Sequence, residues 1–272
     1  MVHELGAEPG LSGLTADYED GKWRAARLSE HVTEWLPEFA LTWSERESIN
    51  YVNAASFVRK AANLVYNSDK YQARGEFGEL LLHICVRQLF NTIPAVSKLY
   101  YKSSIDDTVK GFDAVHVVCA ETSLELWLGE AKFYRDISRA ITDAVAELKA
   151  HTKRNYVREE LVLVSNKIDP AWPEAERLKK LIDQNTSLDN IFDCISVPVL
   201  LTYESGTLQE HSKWTEECKE QLVQEFWKHY ETFSSKDGLP TNVKIHLILM
   251  PLDSKDELIE MLDKRLKAWQ TI

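Results

Sequence analysis

The apolar residues of this chain change period once, and that change limits the folds open to it. From Trp23 to about residue 67 they recur at helical spacing, as in Leu28, Val32, Trp35 and Leu36, then Ile49, Val52, Ala55, Phe57 and Val58. A third helix follows Gly75 through Phe77, Leu80, Leu81, Ile84, Cys85 and Leu89, and Pro94 closes it. Beyond that point the period shortens. Residues 96–102, 111–118 and 124–133 are β-rich runs separated by the turn-like Asp106-Asp107 and Glu121-Thr122-Ser123, which predicts an antiparallel meander of three strands.

Helical spacing returns over 136–151, where Ile137, Ile141, Val145 and Leu148 share a face and Asp136 is placed to cap the first turn. Residues 161–164 are a further apolar run, Pro173 opens a helix carrying Ala175, Leu178, Leu181 and Ile182, and 193–202 reads as a strand. A helix over 213–233, a strand over 243–250 and a helix over 255–269 complete the chain. Residues 1–20, with Gly6, Pro9, Gly10 and Gly13, are expected to form a loose arm. The order predicts an α/β fold, a mixed sheet flanked by helices. A helical N-terminal extension would occupy 1–70, and an α/β domain with C-terminal helices 71–272.

With 272 residues, 44% of them hydrophobic, such a core can close. No stretch approaches the roughly 18 apolar residues of a membrane span. Met1-Val2-His3-Glu4 lacks the basic and apolar blocks of a signal peptide, so a cytoplasmic location and no membrane partner are expected. Cys85, Cys119, Cys194 and Cys218 are scattered without metal-site spacing and are expected to be reduced. The chain has no Gly-rich phosphate loop, no G-x-S-x-G elbow and no H-E-x-x-H helix. The net charge of −11 argues against strong autonomous binding to nucleic acid, because phosphate contacts need Lys and Arg to displace counterions. The charge is uneven, however: glutamates crowd 204–231, while Lys149, Lys153, Arg154 and Arg158 form a basic cluster.

Chemistry concentrates on the meander. Glu130 and Lys132 stand two apart at the end of an apolar strand, so a period of two puts both on one face. A carboxylate beside an ammonium can bind a divalent cation while the amine orients or deprotonates a water, or stabilises charge developing on phosphate. Asp113 lies on the preceding strand, where a hairpin can bring it beside Glu130. Two hard oxygen ligands with open positions suit Mg²⁺. A third carboxylate comes from the helix before the sheet, where Glu76 and Glu79 share a face; Glu79 is preferred because Leu80 and Leu81 follow it directly. Each feature alone has a plainer reading. A charged pair two apart on a strand is most often a solvated face, and first-turn glutamates often only complement a helix dipole. Their joint order is what singles them out. His83, His116, Tyr134, Arg135 and Ser138 lie nearby and are read mainly as structural.

The spacing Gly75 to Glu79, the triplet Gly111-Phe112-Asp113 and the run Gly129-Glu130-Ala131-Lys132 resemble the PD-(D/E)xK nuclease superfamily. More closely, the stretches beginning at Arg74, Lys110 and Leu126 resemble the HamA family, nuclease subunits of bacterial Hachiman anti-phage systems. The resemblance implies a restriction-endonuclease-like fold and a Mg²⁺-dependent DNA nuclease, with Mn²⁺ as a substitute and no small-molecule cofactor. It also implies a helicase partner of the HamB type. Asp113, Glu130 and Glu79 would be the metal ligands, with Glu76 competing for the last place, and Lys132 the assisting amine. A helicase that supplies DNA would also answer the charge objection. The competing readings are a regulatory module of a helicase complex with a vestigial site, and a hydrolase of another phosphate ester.

Overall fold

The computed structural model describes residues 2–65, 75–96, 111–121 and 123–272. Strands β1 (Val2–Glu4) and β2 (Gly10–Gly13) pair antiparallel, so part of the segment expected as a loose arm is sheet. The short β3 (Tyr18–Glu19) and β4 (Lys22–Trp23) form a separate ribbon, turning through Asp20 and Gly21 at positive φ. The expected helical stretch follows as α1 (Ala25–Glu34), α2 (Leu36–Ala40), α3 (Trp43–Glu47) and α4 (Ala54–Val65). Helix α3 starts on a capping box in which Thr42 and Glu45 satisfy each other's backbone N–H groups.

Helix α5 (Gly75–Phe90) leads into β5 (Ile93–Val96), β6 (Ala114–Cys119) and β7 (Leu124–Phe133). Strand β5 starts before the run expected at 96–102, most of which lies outside the described residues. It is an edge strand, where Pro94 is tolerated. Four helices come next, α6 (Ile137–His151), α7 (Arg154–Ser165), α8 (Ala175–Leu181) and α9 (Leu188–Phe192). The apolar run at 161–164 belongs to α7, where it buries Leu161 and Val164. The remaining elements are β8 (Ile195–Glu204), α10 (Gly206–Glu210), α11 (Glu216–Ser234), β9 (Lys244–Leu252) and α12 (Lys255–Gln270).

Among the described residues these strands make one seven-stranded sheet, in the order β1-β2-β9-β8-β7-β6-β5. The β5-β6-β7 meander is antiparallel, whereas β7, β8, β9 and β2 run parallel. The protein is therefore an α/β fold with a mixed sheet flanked by helices. The parallel strands are buried on both faces, which is why β8 is buried from Ile195 to Tyr203 and shows no alternation. Helices α1 and α4 pack on α12, tying the N-terminal helices to the C-terminal one.

The two faces of β7 meet different helices. An added Cβ at Gly78 of α5 would stand 2.8 Å from Phe133 Cβ and 3.7 Å from Ala131 Cβ, and one at Gly129 would stand 2.8 Å from Leu82 Cδ2. Residues 129, 131 and 133 thus face α5, and glycine permits that close approach. By alternation, residues 130 and 132 face α6.

A buried polar cluster fastens α2 to α5. His116 accepts or donates to Thr92 Oγ1 at 2.8 Å and to His83 Nδ1 at 3.1 Å, and His83 Nε2 stands 3.3 Å from Glu38 Oε1. Arg87 Nε donates to the same carboxylate at 2.5 Å. Burial alone would raise the Glu38 carboxyl, but His83 and Arg87 hold it down to about 2. A depressed carboxyl stabilises the fold fully above its ordinary range and loses that contribution as pH falls toward its folded value. Urea midpoints should therefore drop between about pH 5 and about pH 2 more steeply in the native protein than in Glu38→Gln. Parallel profiles for the two proteins would refute this role.

Candidate functional site

The site forms where β7 and α6 run side by side in opposite directions. Two residues along a strand advance about 6.6 Å, and four along a helix about 6 Å, so pairs at these spacings can face each other. Glu130 and Lys132 on β7 meet His151 and Glu147 on α6 in this way. Lys132 Nζ donates to Glu147 Oε2, and His151 Nδ1 shares a hydrogen with Glu130 Oε1. Asp136, whose carboxylate accepts from Arg139 N at 2.6 Å, caps α6 and fixes its start.

Asp113 joins from the residue before β6. Its N–H donates to Gly129 O at 2.7 Å, and its Oδ2 accepts from Ala131 N at 2.9 Å, which sets the carboxylate beside the strand that carries Glu130 and Lys132. Glu130 is 1% exposed and Lys132 7%, but the Glu147 side chain that Lys132 reaches is 40% exposed, so the ammonium sits one group from solvent.

The electrostatics are those of crowded negative charge. Burial pushes the Glu130 carboxyl well above its ordinary value, and the charges of Asp113 and Glu147 push it further against the opposing pull of Lys132. Burial would lower the Lys132 ammonium, yet its pairing with Glu147 outweighs that and raises it. Burial lowers the His151 imidazole. Such a cluster favours a cation among the carboxylates, since positive charge relieves what protonation otherwise must. Glu130, Glu147 and His151 each offer a donor atom within 4.8 Å of the others and could hold a metal ion. Oxygen donors with one imidazole fit a small divalent metal.

The structure thus places Asp113, Glu130 and Lys132 along one edge of β7. Glu79, with Glu76 one turn earlier, rides on α5, whose Gly78 packs on the other face of that strand. The groups that sequence reasoning missed are Glu147 and His151. The signal was present, as a Glu and a His four apart on the helix following E-x-K, and only the apolar stripe of that helix was read. His116 lies on the α5 face, bonded to His83. Tyr134 donates to Asp143 at 3.0 Å, and Arg135 pairs with Asp256. In the basic cluster, Arg154 pairs with Asp189 at 2.7 Å, and Arg158 donates to the Asp183 and Thr186 carbonyls, so two of its four cations are already engaged. Among the described residues no helix is long and apolar enough to cross a membrane.

Comparison with known proteins adds two findings. A family model described as HamA matches residues 2–266. Anti-bacteriophage protein A of Escherichia coli (strain K12) is 22% identical over 269 residues, which is 93% of this chain and 47% of that protein. The chain therefore spans about half the length of this curated relative.

Proposed function

Because the chain belongs to the HamA family, we propose that it is a divalent-metal-dependent DNA nuclease of a Hachiman-type anti-phage defence system, acting with a helicase partner. The observation that carries this reading is the convergence of Asp113, Glu130, Glu147 and Lys132 on one edge of β7. The name of the Escherichia coli relative supports the defence role, and the family resemblance supports the partner.

In this reading Asp113, Glu130 and Glu147 would hold the cation. When bound, the cation would polarise a phosphodiester oxygen and acidify a water. The chain's own groups do the rest. Lys132, kept charged by Glu147, stabilises negative charge developing on phosphate instead of accepting a proton. Burial of Glu130 among apolar strands fixes its carboxylate and strengthens its field by excluding water. The acidic surface weakens unassisted DNA binding, so delivery by a helicase confines cutting to DNA that the partner has engaged.

The test is cleavage of plasmid and linear DNA by the chain together with its helicase partner, with Mg²⁺ or Mn²⁺ and with a chelator. Cutting should require the metal, and Lys132→Met should reduce it by about 100-fold, as loss of a single preorganised charge does. Metal-independent cutting, or full activity in Lys132→Met, would overturn the assignment. The same assay on mononucleotides separates a polynucleotide nuclease from a hydrolase of small phosphate esters.

A further inference from the structure

We infer that His151 is a positioning residue, which holds the Glu130 carboxylate in place for a divalent cation without itself ligating that cation. The inference rests on the reading of the site given above and deepens it. It starts from how the imidazole is held. The His151 ring stacks on Tyr156, with centroids 4.4 Å apart and planes within 8°. Its other neighbour is Phe112, edge-on at 5.5 Å and 74°, which also meets Tyr156 at 6.0 Å. Phe112 is 3% exposed and directly precedes Asp113, so the loop that delivers Asp113 also braces the imidazole.

The brace is itself tightly built. An added Cβ at Gly111 would stand 2.5 Å from Glu160 Oε1 of α7, the helix that carries Tyr156. Helix α7 therefore closes on the start of β6 and fixes Phe112 and Tyr156 around the ring. A side chain held by a stacked ring and an edge-on ring presents its nitrogens in one geometry, which is what orientation of a ligand requires.

Chemistry then separates the two roles open to His151. Its Nδ1 shares a hydrogen with Glu130 Oε1. Whichever of the two carries that hydrogen, Nδ1, the nitrogen that meets Glu130, is committed to the carboxylate, and Nε2 lies across the ring with its lone pair directed away from that bond, so neither nitrogen is turned toward a cation held on Glu130 while the bond persists. A ligating carboxylate normally needs such a partner to stop it rotating away from the cation. His151 supplies it from the helix, while on the strand side Ala131 N holds the neighbouring Asp113 carboxylate.

The experiment measures Mn²⁺ binding to the full chain without DNA, by calorimetry and by pulsed electron paramagnetic resonance. Wild type should bind Mn²⁺ with no directly coordinated imidazole nitrogen in the spectrum. His151→Leu, which removes the bond, should weaken binding by about 10- to 100-fold, as loss of an outer partner does. His151→Asn, whose amide can reach the Nδ1 position, should restore most of it. Thermal melts identify any variant that fails to fold, and the wild-type spectrum decides the assignment even then. A nitrogen coupling of directly bound strength in wild type, lost in both variants, would overturn the proposal in favour of a ligand role. Unchanged affinity in a folded His151→Leu protein would overturn it alone. A wild-type chain that binds no Mn²⁺ would overturn the cation reading along with it.

Discussion

Glu130→Gln is expected to lower DNA cleavage by about 100-fold or more while leaving the protein at least as stable as wild type. The two halves of this expectation share one cause. Glutamine keeps the shape of the side chain and can still hydrogen-bond His151, but it can never carry the charge a divalent cation needs. The native carboxyl is buried to 1% exposure and is driven upward first by burial, then by Asp113 and Glu147. Removing an ionisable group from such a place relieves the fold and disables the site. Cleavage rates measured with the helicase partner present, set beside melting curves of the isolated chain, check both halves. Activity within about threefold of wild type would end the nuclease reading.

Leu82→Ala tests the packing that positions the same strand. Leu82 is fully buried at 0% exposure, and its Cδ2 occupies the space that Gly129 leaves open immediately before Glu130. Truncation should cost about 2–5 kcal/mol, because it removes transfer energy and leaves a cavity that the rigid α5–β7 contact cannot fill by collapse. The check is a fall in urea midpoint at constant m-value. A loss below about 1 kcal/mol would show that α5 can settle onto the strand after all.

Much of the molecule was legible in the sequence. Strand β7 over 124–133 was expected with the bounds it has, because alternating apolar residues lead into a charged pair and a turn follows. Helix α6 was legible through its apolar stripe, Asp136 caps it as its position suggested, and α11 and α12 lie close to the helices expected over 213–233 and 255–269. Strands β1 and β2 were not. Gly10 and Gly13 look like turn residues, yet they are glycine because neighbours press on them, His246 against the first and the Phe226 ring against the second. A glycine required by a distant contact is indistinguishable in sequence from one required by a turn. The run at 161–164 was equally mute, since four apolar residues fit a strand or a buried helix face.

The sequence by itself determined the local terms of this protein. Those are the switch from helical to strand period, the shared face of Glu130 and Lys132, and the nearness of Asp113 across a short hairpin. All follow from backbone geometry over a few residues. Only the tertiary structure decided which helix meets that face. The pairing of Glu147 with Lys132, and of His151 with Glu130, depends on α6 folding back antiparallel to β7. That choice is made by burial of the whole sheet, a sum over residues far apart in the chain that no local pattern records.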